Sequence, residues 1–163
     1  MRILFVIWNF FCIFAIVMKE IELFKQKAAN GYTVCYAEQC PKKDQCLRWE
    51  VGQQMPDTTK EFNCVNPKYA GVGTDECESY KSSERVRFAK GMMKLFNDDM
   101  PKKVVDFVRQ AIIKKHCQTY YYEFRKGERL ISPALQEHIR KAFREIGWDK
   151  DVEFDSYIEE FEW

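Results

Sequence analysis

The chain has 163 residues, room for one ordinary domain or one domain with a small appended module. Apolar residues make up 46% and charged residues 31%, a balance that excludes both a chain disordered by composition and a polytopic membrane protein. The net charge of +1 is too small to imply a nucleic-acid or membrane partner by itself, but it hides three blocks of different sign. Residues 18–83 are nearly neutral, residues 84–150 carry 16 basic against 9 acidic side chains, and residues 151–163 carry 6 acids and no base.

At the amino end, Arg2 precedes an apolar run from Ile3 to Val17 that only Asn9 interrupts. As a helix this run is about 22 Å long, short of the ~30 Å hydrocarbon core of a bilayer. One positive charge before a short apolar stretch fits the opening of a signal peptide, yet no small-x-small pair stands before Met18. Met18-Lys19-Glu20-Ile21-Glu22-Leu23 reads as an ordinary soluble amino terminus. The first expectation is therefore a start assigned too early, with a cytoplasmic protein beginning at Met18. The alternatives are a membrane anchor or an export signal, and a membrane is a partner only if residues 1–17 are retained.

Residues 19–29 are expected to form a short helix stopped by Asn30-Gly31. Residues 32–83 are loop-rich, with five of the seven cysteines, three of the five prolines and little hydrophobic periodicity. Such a segment buries little surface alone and needs cross-links or a neighbour to pack on. From Glu84 the pattern changes. Val86, Ala89, Met93 and Phe96 recur at helical spacing, and Asn97-Asp98-Asp99 breaks the run. Asp99 is placed to cap a second helix, with Pro101 in its first turn and Val104, Val105, Val108, Ala111 and Ile112 as its stripe. Tyr120, Tyr122 and Phe124 then alternate with Tyr121, Glu123 and Arg125 as in a strand, and Lys126-Gly127 reads as a tight turn into residues 128–131, predicting a hairpin. Ser132 and Pro133 predict the start of a third helix, striped by Leu135, Ile139, Ala142, Phe143 and Ile146 and ended by Gly147. The resulting fold class is α+β, with an irregular cysteine-rich amino-terminal half packed on three helices and a β-hairpin. Residues 18–163 read as one domain, in which 32–83 is the cysteine-rich loop region and 84–163 the helical region with the hairpin and acidic tail.

Cys35, Cys40, Cys46, Cys64 and Cys77 are spaced C-x4-C-x5-C-x17-C-x12-C. Four soft ligands make a structural zinc site, and four thiolates hold an iron–sulfur cluster. The near-contiguous trio Cys35, Cys40 and Cys46 offers three ligands, and Cys64 or Cys77 the fourth. Lys42, Lys43 and Arg48 suit such a site, because positive charge favours the thiolate. Two other readings stay open: disulfides, which require export, and buried thiols acting as small apolar side chains. Cys117, beside His116, reads as a packed thiol.

Gly31-Tyr32, Cys35, Gln39-Cys40-Pro41, Asp44 and Cys46-Leu47-Arg48 resemble the opening of an uncharacterised bacterial family, a domain of unknown function. Val65-Asn66-Pro67, Tyr121-Tyr122-Glu123-Phe124-Arg125, and Phe154-Asp155-Ser156-Tyr157 with Trp163 extend the resemblance over residues 31–163. It implies that the cysteine region and the helical region belong to one unit, and it assigns no catalytic residue.

Other motifs carry less. Gly71-Val72-Gly73 lacks the lysine of a phosphate loop and the third glycine of a dinucleotide fingerprint, and reads as a turn. Asp98-Asp99 reads as a turn and cap rather than a cation site, and His138 as a solvated side chain. Helix, turn, basic helix and hairpin is also the order of a winged helix-turn-helix. There Lys102, Lys103, Arg109, Lys114 and Lys115, with Arg125, Lys126 and Arg129, would meet phosphates; the competing reading is a solvated basic surface. The function expected is a non-enzymatic metal-binding or interaction protein whose cofactor is zinc or an iron–sulfur cluster. The alternatives are a DNA-binding regulator and an iron–sulfur redox protein.

Overall fold

The computed structural model describes residues 17–96 and 100–163. The leader up to residue 16, and the Asn97-Asp98-Asp99 break with its Asp99 cap, lie outside the described residues. Among the described residues no helix is long and apolar enough to cross a membrane. The chain is α+β and divides into two compact units, one of residues up to Glu84 together with Trp163, the other Arg85–Glu162.

The first unit opens with helix α1 (residues 17–29). It buries Phe24 and Ala28 and stops where the sequence predicts. Gly31 is left-handed at φ 82°. The Tyr32 amide donates to Lys27 O and the Gly31 amide to Ala28 O, the paired bonds of a Schellman cap. After α1 the backbone is held by a few long-range bonds. Val34 pairs in a parallel bridge with Cys64, and Cys46 in an antiparallel bridge with Ser82. A single 3-10 turn (Lys43–Gln45) leads into the short helix α2 (Leu47–Gly52), which buries Leu47 and Val51. The terminal Trp163 belongs to this unit. Its ring meets those of Phe24 and Tyr32 edge-on, with centroids 6.0 and 5.4 Å away, and Lys27 Nζ sits 4.3 Å from its centroid.

The second unit is a three-stranded antiparallel sheet in the order β2-β1-β3, with three helices. Strand β1 (Arg85–Lys90) pairs with the short β2 (Leu130–Ile131) and along its whole length with β3 (Ser156–Phe161). The long helices α3 (Lys102–Lys115) and α5 (Pro133–Glu145) contribute Val104, Val108, Ile112, Leu135, Ile139 and Phe143 to one core, joined by Ala89 and Ile131 from the sheet. The buried Gln136 side chain donates to Arg87 O at 2.8 Å and Ile131 O at 3.0 Å, so α5 is pinned to two strands by one satisfied amide. Ser132 caps α5 through a bond from the Leu135 amide, with Pro133 at its first turn, as its sequence predicts.

Two predicted elements are corrected. The helix expected over Val86, Ala89, Met93 and Phe96 is strand β1 followed by a turn. Gly91 is left-handed at φ 79° and stops regular structure there, and the turn is closed by Asp155, whose carboxylate accepts from the Met93 and Lys94 amides at 2.9 and 2.7 Å. The expected hairpin strand over Tyr120–Phe124 is helix α4 (Gln118–Lys126). Tyr121 and Phe124, three apart, are its buried pair, while Tyr120 and Tyr122 stay exposed. Gly127, read as a hairpin turn, is the left-handed cap of α4: its amide donates to Phe124 O and that of Glu128 to Glu123 O. The wing that a winged-helix reading places at residues 120–131 is therefore helix, cap and a two-residue strand.

Candidate metal centre

The cysteines of the first unit are set by turns rather than by long elements. The Cys35 amide donates to Arg48 O, which lays the segment around Cys35 along α2. Cys40 sits in a tight turn, its amide bonded to Ala37 O and its carbonyl accepting from Lys43. Cys46 is the residue before α2, and its side chain makes no capping bond. Cys77 follows the Gly71–Gly73 turn, where both glycines have positive φ and the Thr74 hydroxyl closes onto Gly71 O at 2.7 Å. This agrees with reading those glycines as a turn.

These turns bring four of the five candidate ligands to one place. Cys35, Cys40, Cys46 and Cys77 line a cavity of about 20 Å³, with Lys43 and Arg48 also in its wall. Cys46 is buried and the other three are half-buried. Cys64 does not line the cavity. It is exposed, with its thiol against Val65 O at 3.3 Å. Among the described residues, no group of three or more Cys, His, Asp or Glu side chains is placed so that it could hold a metal ion as it stands. The four cysteines thus line one small space without closing on a common point. Trp49 and Tyr80 also line it, and sequence reasoning missed both. The only signal for Trp49 is its position one helical turn after Cys46.

Three cations brace the surrounding loops. Arg48 donates to Thr33 O and to Ser79 O, both at 2.8 Å, and so ties the segment before Cys35, α2 and the Cys77 loop together. Lys42 donates to Asp75 O, and Lys43 to Glu38 O at 3.1 Å. Lys42 also lies over the Tyr80 ring and Lys43 over Trp49, each 5.3 Å from the centroid. Burial pushes the Cys35 thiol up from its ordinary value, and the neighbouring sulfurs of Cys46, Cys64 and Cys40 push it further; the Ala37 backbone bond works the other way. Cys117 is in the second unit, where its sulfur accepts from the Tyr120 amide and caps α4.

Fold and pocket define a small α+β protein with a cysteine-lined cavity in its irregular unit. The chain belongs to a family of unknown function, DUF6078, whose family model matches residues 18–163. That span takes in every segment on which the sequence resemblance rests. No curated protein and no solved structure matches the chain.

Proposed function

We propose that this is a metal-binding protein in which Cys35, Cys40, Cys46 and Cys77 close as thiolates on one soft metal ion, with zinc the best fit. The observation that carries the reading is the convergence of four cysteines, from segments up to 42 residues apart in sequence, on one cavity. The cavity is about 20 Å³, close to the ~10–15 Å³ that a single water needs. That volume suits one ion. A zinc ion prefers four tetrahedral ligands with sulfur at about 2.3 Å, so binding draws the four thiols inward. Lys43 and Arg48 in the wall offset part of the charge of a four-thiolate site. Cys64, exposed and off the cavity, is the spare thiol in this reading.

Cobalt substitution tests it, because Co2+ takes zinc's tetrahedral site and its thiolate bonds absorb visibly. Titration of the reduced chain should give thiolate-to-cobalt absorption saturating near one ion per chain. Cys40→Ser and Cys77→Ser should weaken it, whereas Cys64→Ser and Cys117→Ser should not. Equal spectra from all four variants would overturn the assignment.

A further inference from the structure

A separate cluster in the second unit, independent of the cysteine pocket, has cations and donors with no anion paired to them among the described residues. Arg109 on α3 donates from Nη2 to the Tyr122 hydroxyl at 3.2 Å, and its guanidinium lies 5.6 and 5.9 Å from the Tyr121 and Tyr122 ring centroids. Arg125, one turn after Tyr121 on α4, places its guanidinium beside the buried Tyr121 hydroxyl. Both arginines are half-buried, and the Nε of each is buried with no hydrogen-bond partner. Among the described residues neither forms an ion pair. The single acid of α4, Glu123, is held by Arg129 at 2.6 Å, and the single acid of α3 is Asp106.

Half-burying two arginines without a carboxylate carries a desolvation cost, which for Arg109 stacking on tyrosine offsets only in part. The Tyr122 hydroxyl already accepts a bond from Arg109, which leaves its own hydrogen to donate outward. The cluster is then all donors: two planar forks of N–H groups and a phenol, on a surface edge where Tyr122 is exposed. Its chemical complement is a compact oxyanion with several acceptor oxygens, and guanidinium forks match a phosphate in two-point contact. We propose that Arg109, Tyr122 and Arg125 form a binding site for a phosphate group, free or carried as an ester on a larger molecule.

The test is amide-resolved NMR of the full chain, titrated with inorganic phosphate at fixed pH and ionic strength, with sodium chloride as control. A second arm uses a short single-stranded oligonucleotide. Saturable shifts centred on residues 109 and 121–125, weakened roughly tenfold or more by Arg109→Gln and Arg125→Gln, support the site. Saturation by inorganic phosphate identifies a free or small-molecule source. Shifts at the same residues from the oligonucleotide alone identify a polymer's phosphates. Where Arg125→Gln fails to fold, Arg109→Lys, which keeps charge but loses the fork, and Tyr122→Phe, which loses only the hydroxyl, should each still weaken binding. The proposal is overturned if chloride reproduces the shifts, if they scatter over Lys102, Lys103, Lys114 and Lys115, or if neither probe shifts residues 109 and 121–125.

Discussion

Glu50 on α2 shows how a single side chain works against its own unit. Burial pushes its carboxyl up, and the nearby charges of Glu20 and Asp44 add to the shift, while a bond with Ser83 opposes it. A carboxyl raised in the folded state favours folding while protonated, and that advantage is lost as pH rises through its unfolded value toward its folded one. Glu50→Gln keeps a hydrogen-bonding side chain and removes the charge. It should therefore raise the melting temperature at pH 7, with the gain shrinking toward pH 4, as thermal melts across that range would show. Gly91 carries the opposite kind of constraint. Its left-handed φ is unfavourable for any side chain, and a Cβ there would run into the Asp155 carboxylate that closes the turn. Gly91→Ala should cost about 2 kcal/mol or more in urea unfolding. A cost below ~0.5 kcal/mol would show that the turn is not held as described.

Among the elements, α5 tests the packing most simply. Phe143 is buried in the core of the second unit, whereas Glu137 is exposed and paired only with Arg144. Phe143→Ala should cost about 3–5 kcal/mol in chemical denaturation and Glu137→Ala far less, since its pair with Arg144 is solvent-screened; equal costs would place the buried face elsewhere. This helix was legible because its signals are local: Ser132 and Pro133 start it, a stripe at helical spacing fills it and Gly147 follows it. The same locality made α1 and its Asn30-Gly31 stop readable. The errors lie where distant residues decide. Val86, Ala89 and Met93 fit a helical period, but residues 85–90 gain strand partners from Ser156–Phe161, and the turn after them is fixed by a carboxylate 62 residues beyond Met93. In α4, three consecutive tyrosines satisfy either period. The caps by Cys117 and Gly127 select helix, and a thiol cap is a weak sequence signal. For the site, five cysteines named the residue type. Which four share a cavity depends on bridges such as Val34–Cys64 and on Arg48 bonding two loops, and none of those has a local pattern.

At the scale of the whole molecule the two units differ in what holds them. The second has a continuous apolar core from two long helices and a sheet. Among the described residues the first buries only short stretches, chiefly Phe24, Ala28, Val34, Leu47 and Val51, while ordering a residue costs about 1–2 kcal/mol. Structural zinc contributes roughly 10–16 kcal/mol of binding free energy coupled to folding, enough to matter most where the core is smallest. Chelation should thus speed hydrogen exchange at Val34 and Leu47 far more than at Ile112 and Ile139. Binding should also weaken as pH falls and release protons, because the Cys35 thiol is held above its ordinary value and must ionise to coordinate. The most direct measurement is the metal content of the full chain purified without air and weighed intact under native conditions. About one zinc per chain is expected, retained in Cys64→Ser and lost in Cys40→Ser; a chain that carries no metal and takes up none when zinc is supplied would overturn the zinc assignment.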